Sequence, residues 1–267
     1  MTQRHLAIVF RGTGGIIGQD YVSRVCQGVS DIVEEINPEF DATMGGIPVG
    51  AANGLGGKSM RRAVDEAVWD ATGIIMHALH LNPKRKIIVG GYSAGAVAAA
   101  RVRKWLLTNF PDNYLCSFSI GDPTRPAGGA FYKGVPCPGR GISTWKYGDI
   151  RDYRHCWLAA PGDMYTSVPD NRIGDIMDTA YEIVSGFQLS DPFGTAQRIG
   201  EQIPVILGEA ALDPLAAFRA MGIAAQFVSE GTAPHIQYEF REVWPGKTYL
   251  DLAIQHVRDW ASRYPLT

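Results

Sequence analysis

The chain has no closely spaced pair among its four cysteines. Cys26, Cys116, Cys137 and Cys156 are too scattered for the short paired spacings of a zinc site, and they read as buried thiols. No stretch carries a long run of like charge, and the formal net charge is only -2. The field that would gather nucleic acid or anionic lipid is therefore missing. No apolar run approaches the roughly 18 residues needed to span a bilayer, and the opening "MTQRHLAIVF" lacks the apolar core of a secretory signal. The expectation is a protein made soluble in the cytoplasm, without a signal peptide and without a stable membrane anchor. Internal repeats and low-complexity segments are absent too. The glycine-rich "GLGGKS" (Gly54 to Ser59) is not a phosphate-binding loop, because the first glycine of that motif would fall on Ala52 and no convincing strand precedes it. No cofactor and no metal are expected.

What is present is a globular composition, with 46% apolar and 19% charged residues, enough for one large core or for a core with an appended subdomain. "HLAIVF" (His5 to Phe10) reads as a buried strand ending in the tight loop "RGTGG". "DYVSRVCQGVSDIVEEI" shows helical spacing up to Asn37-Pro38, and a small-residue connection follows. "KSMRRAVDEAVWDATGIIMHAL" reads as a helix, "KIIVGG" as a strand, and "YLCSFSIG" (Tyr114 to Gly121) and "DYRHCWLAA" (Asp152 to Ala160) as further strands. Alternation of this kind implies crossovers and a largely parallel sheet, the α/β class. Residues 175–231 have helical periodicity without an obvious strand and read as an insertion, a linker or lid. Residues 1–174 and 232–267 would then form the catalytic unit, which closes with a short strand, "HIQYEFR", and the amphipathic helix "TYLDLAIQHVRDWASRY".

Within that frame "GYSAG" (Gly91 to Gly95) places Ser93 where a strand must turn sharply into a helix. Flanking glycines permit a close backbone approach there, and the following helix N-terminus favours negative charge. Such a turn exposes a nucleophile. A serine hydroxyl needs a histidine to take its proton and a carboxylate to orient that histidine. With this elbow both partners come later in the chain, on loops after later strands. His5, His77 and His80 precede the serine, and His155 lies within a strand pattern. His256 sits mid-helix among Leu252, Val257 and Trp260, whereas His235 follows the proline-bearing loop of "GTAPHIQY" and is the stronger candidate. For the acid, Asp122, Asp163, Asp170 and Asp175 are available. Asp163 stands on a Pro-Gly turn at the carboxyl end of a strand and is preferred, with Asp122 as the alternative or a simple turn former. The oxyanion donors would be the N–H of Ala94 and, from the loop after the first strand, that of Thr13.

Taken together, "RGTG", "GYSAG", "SIGDPTRPAG", "RDYRHCWLAAPGDMYTSV" and "APHIQY" resemble the cutinase-related branch of the α/β-hydrolases. More particularly they are similar to the lysin B family of mycolylarabinogalactan esterases. The resemblance implies an α/β-hydrolase fold with a helical insert, a triad falling on Ser93, Asp163 and His235, and hydrolysis of a lipid ester through an acyl-enzyme. It implies as substrate the ester between mycolic acids and arabinogalactan, reached at the host envelope after release during phage lysis. The plainer alternatives are a cutinase-like lipase for shorter acyl chains and an inactive binding protein of the same fold. The long apolar residues of the insert, Phe187, Ile199, Ile203, Val205, Leu207, Phe218, Met221 and Phe227, either pack it onto the core or line an acyl path.

Overall fold

A computed structural model describes residues 3–45, 56–129, 137–186, 204–205, 208, 211–229 and 232–266. Five strands, β1 (His5–Phe10), β2 (Val33–Ile36), β3 (Ile87–Tyr92), β4 (Tyr114–Ile120) and β5 (His155–Leu158), form one parallel sheet in the order β2-β1-β3-β4-β5. Every residue of β1, β4 and β5 is buried, as expected of strands covered on both faces. Their alternation sorts the core into two layers. Ala7, Val9 and Ile88 pack against α1 (Tyr21–Gln27) and the last helix. Leu6, Ile8, Phe10, Ile87 and Val89 pack against α2 (Met60–Leu81) and α3 (Ala94–Asn109). The helices are capped by their own sequence: the Asp20 carboxylate accepts from Val22 N–H, and the Ser59 hydroxyl accepts from Arg62 N–H.

Two further helices follow β5, α4 (Arg172–Gly186) and α5 (Pro214–Ser229). Helix α4 starts before the expected Asp175 because Asn171 Oδ1 accepts from Ile173 N–H and caps it there. Ile176, Met177 and Tyr181 of α4 and Ala216 and Ala220 of α5 form a third buried cluster with Met60 and Ala94. The chain ends in α6 (Ala233–Ile236), the hairpin β6 (Glu242–Trp244) and β7 (Lys247–Thr248), and α7 (Tyr249–Ala261), which opens with a Thr248–Asp251 capping box.

Three sequence expectations are corrected. The segment read as one helix up to Ile36 is α1 followed by β2; Gly28 caps the helix, and the following turn delivers Val33 to the sheet. As the sheet's edge strand, β2 is buried only at Val33, so its pattern is too polar to announce a strand. "HIQYEFR" is not a strand. Pro234 stands in the first turn of α6, and the residues that follow form turns before the separate hairpin. The strand expected from Asp152 begins at His155, because the Asp152 side chain accepts from Arg154 N–H and holds a turn.

Candidate active site

The sheet order changes direction between β1 and β3, since β1 is followed by the strand on one side of it and β3 by strands on the other. In open α/β sheets the crevice at the carboxyl ends of such strands is where ligands bind. The loops that leave these two strands carry Thr13 and Ser93.

Ser93 has φ 55° and ψ -124°, a left-handed conformation that a residue with a β-carbon rarely adopts. The fold imposes it by packing the turn tightly. A β-carbon on Gly95 would lie 2.3 Å from the Phe10 carbonyl oxygen, and one on Gly91 would lie 2.6 Å from the Ala96 α-carbon. The glycines let α3 start directly against β1 and β3, which turns Ser93 outward over the helix N-terminus.

The loop after β1 is held just as closely. Gly12 N–H donates to Asp20 Oδ2, Gly14 N–H to the Ala42 carbonyl, and Gly15 N–H to the Gly12 carbonyl. Thr13 N–H is thereby the remaining N–H of the turn, with no acceptor among the described residues, and Ala94 N–H has none either. A β-carbon on Gly12 would fall 3.4 Å from that of Ser93, so the loop abuts the serine. Arg11 lies over the Phe40 ring and donates to the Phe40 carbonyl. Burial of Asp20 pushes its carboxyl up.

His235 Nε2 lies 2.8 Å from Ser93 Oγ, and its Nδ1 lies 2.9 Å from Asp163 Oδ2. A carboxylate only accepts, so Nδ1 carries the proton and Nε2 accepts from the serine hydroxyl. Asp163 is fully buried and His235 nearly so. Asp163 also accepts from Tyr165 N–H at Oδ1 and from the Tyr238 hydroxyl at Oδ2, at 3.0 and 2.6 Å. Tyr92 stacks on the imidazole with ring centroids 5.2 Å apart, and its hydroxyl donates to the His235 carbonyl. Tyr165 closes another side at 4.5 Å. Burial pushes the phenols of Tyr92 and Tyr238 well above their usual range, with the Asp163 charge adding to it. Gly121, at φ +57°, gives the pair its room: a β-carbon there would be 2.9 Å from His235 Cε1 and 3.1 Å from Asp163 Oδ2.

Thus Ser93, His235 and Asp163 meet in one hydrogen-bonded chain, Ala94 follows the serine directly, and Thr13 follows Gly12 in the loop that abuts it. The alternatives are occupied elsewhere. His256 is buried with Nε2 3.1 Å from both the Ser117 and Arg154 carbonyl oxygens, and burial pushes it down to about 4. Asp122 accepts from the N–H and hydroxyl of Thr124, the turn-forming role. Asp170 and Asp175 both pair with Arg140. The reading of the residues missed Tyr92, Tyr165, Tyr238, Gly121 and Asp20. None of them left a local signal: Tyr238, three residues after His235, lies beyond the end of α6 in the turn that follows.

Volume does not mark this site. A cavity of about 620 Å³ lies between α2, α3 and α4, lined by Met60, Val97, Trp105 and Tyr181 but not by Ser93, and a cleft of about 270 Å³ is lined by Gly14 and Gly15 of the Thr13 loop and by Tyr92 of β3. Of the insert's long apolar residues, Val205, Phe218 and Met221 are exposed. Phe187, Ile199, Ile203, Leu207 and the Phe227 side chain lie outside the described residues. Among the described residues no cluster of three or more His, Cys, Asp or Glu side chains could hold a metal. No described helix is long and apolar enough to cross a membrane.

No protein-family model matches the chain, and no curated protein matches it significantly in sequence. Solved structures do. Lysin B from Mycobacteriophage D29 superposes with a TM-score of 0.59 at 17% identity, over 96% of this chain and all (100%) of that one. A cutinase-like protein from Cryptococcus sp. gives 0.48 at 16% identity over 69% and 96% of the two chains. The catalytic core of acetyl xylan esterase from Trichoderma reesei gives 0.49 at 14% identity over 70% and 97%. At such identities the likeness is one of fold, and the fold is that of an α/β-hydrolase.

Proposed function

We propose that this protein is a serine carboxylic ester hydrolase working through an acyl-enzyme. The observation that carries the reading is the chain Ser93 Oγ, His235, Asp163, with links of 2.8 and 2.9 Å. Ser93 attacks the ester carbonyl while His235 Nε2 takes its proton. Asp163 keeps the other imidazole proton on Nδ1 and stabilises the imidazolium that forms. The N–H groups of Ala94 and Thr13 donate to the carbonyl oxygen as negative charge develops on it, aided by the α3 N-terminus. His235 then protonates the departing alcohol, and water repeats the sequence on the acyl-enzyme. Every group needed belongs to the chain, so the scheme uses no cofactor and no metal.

For the substrate, the reading is the ester that joins mycolic acids to arabinogalactan, cleaved at the envelope of a mycolate-bearing host after release during phage lysis. Support comes from the motif set around Ser93, Asp163 and His235 and from the fold shared with a mycobacteriophage lysin B along nearly the whole chain. In this reading α5 and all of α4 but its start at Arg172 belong to an inserted subdomain, residues 175–231, set between acid and histidine. Labelling by a fluorophosphonate that disappears in Ser93→Ala tests the chemistry. Release of free mycolate from purified mycolylarabinogalactan, compared with nitrophenyl esters of rising chain length, tests the substrate. Turnover confined to short esters would favour a cutinase-like esterase instead.

A further inference from the structure

Tyr238 has no part in the reaction just described, yet it is among the largest fully buried side chains, and its hydroxyl ends on the triad. Its bonding is unambiguous. Ala160 N–H donates to the phenol oxygen at 3.1 Å, and the one phenolic proton goes to Asp163 Oδ2 at 2.6 Å, because a carboxylate cannot donate. That is the same oxygen that holds His235 Nδ1. We propose that Tyr238 is a positioning residue which, by sharing Asp163 Oδ2 with His235, limits how strongly the carboxylate holds the imidazolium and so extends activity toward lower pH.

Asp163 is a buried charge, and its Oδ2 is served by two donors, one on the base and one on Tyr238. A second donor on one oxygen disperses the charge that the first donor feels. The imidazolium is then less favoured, and His235 stays competent as a base at lower pH. Ala160 N–H polarises the phenol and strengthens it as a donor. Packing fixes the ring: Tyr249 of α7 meets it edge-on at 5.1 Å, and Tyr21 of α1 at 6.5 Å. The other groups facing the site are Tyr92 on β3 with Asp20 behind it, Tyr165 on the acid loop, and, from the loop after β4, the Arg125 guanidinium and the Cys137 thiol, which burial pushes up to about 11 and so keeps neutral; Arg241 acts on Tyr249. None of these donates to Oδ2, so Tyr238→Phe removes one hydrogen bond and leaves the rest in place.

The inference rests on the hydrolase reading, and the test separates the two. The pH dependence of kcat/KM for a nitrophenyl ester is measured for the wild type, for Tyr238→Phe and for protein carrying 3-fluorotyrosine at position 238 alone. The fluorinated phenol is the stronger acid and the stronger donor. The acidic limb should move up by about 0.5–1 pH unit in Tyr238→Phe and down in the fluorotyrosine protein, with KM nearly constant. Should Tyr238→Phe fail to fold, the fluorotyrosine protein, which keeps the shape of the side chain, decides alone. Limbs that coincide with the wild type would overturn the role of Tyr238. A wild-type protein that neither turns over esters nor takes a fluorophosphonate on Ser93 would overturn the hydrolase reading itself.

Discussion

The strained backbone at Ser93 makes a measurable claim about stability. At φ 55° and ψ -124° a residue with a β-carbon costs about 1–3 kcal/mol over one without. Glycine removes that strain but gives the unfolded chain extra freedom worth about 0.4–1 kcal/mol. Ser93→Gly should therefore be more stable than Ser93→Ala by about 1 kcal/mol, or about 2–4 °C in Tm for a chain of this size. The comparison with alanine isolates the backbone, because both variants lose the hydroxyl and both leave His235 Nε2 without its 2.8 Å partner. Differential scanning calorimetry at pH 7 reads the difference, and ester turnover should be abolished in both. Ser93→Gly melting at or below Ser93→Ala would refute the idea that the elbow stores strain to present its nucleophile.

Four further outcomes are expected. Asp163→Ala and His235→Ala should each lower kcat by about three orders of magnitude or more, whereas an active Asp163→Ala beside an Asp122→Ala that is inactive yet folded would move the acid. Gly121→Ala should cost most of the activity, because its β-carbon would press on His235 and Asp163; unchanged kcat would mean that the pair tolerates displacement. Stability should fall on acidification, since His256 is pushed down to about 4 by burial while the unfolded histidine titrates near 6.5. The unfolded chain thus binds the extra proton between these values, the native state loses up to about 3 kcal/mol as pH falls through that window, and urea midpoints from pH 7 to 4.5 should drop less in a folded His256→Gln; raised carboxyls such as Asp122 act with the opposite sign in both proteins. Finally, Phe218→Ser and Met221→Ser, at exposed sites of α5, should slow long-chain ester turnover more than short-chain turnover if that face meets the acyl chain, and equal rates on both would reduce it to scaffold.

Local chemistry determined the elements with strong signals. Buried parallel strands are continuous apolar runs, so β1 and β3 could be read directly, and "GYSAG" between a strand and a helix announces a turn that only those glycines allow. Order along the chain then narrowed the base and the acid to a few residues, among them His235 and Asp163. Weak local signals failed where tertiary context decided. Edge strand β2 is half polar because only one of its residues is deeply buried, and "HIQYEFR" alternates like a strand although it runs from the end of α6 into turns. In a strand, positions 235 and 238 would face opposite ways; with α6 ending at Ile236 and a turn following it, both side chains reach Asp163. That choice belongs to packing, because only the folded core brings the acid loop and Tyr238 together. Charge dispersal on Asp163, the aromatic walls around His235 and the room left at Gly121 all arise from segments far apart in sequence. Periodicity could not reveal them, since it reports how a residue faces its own element and not what waits across the gap.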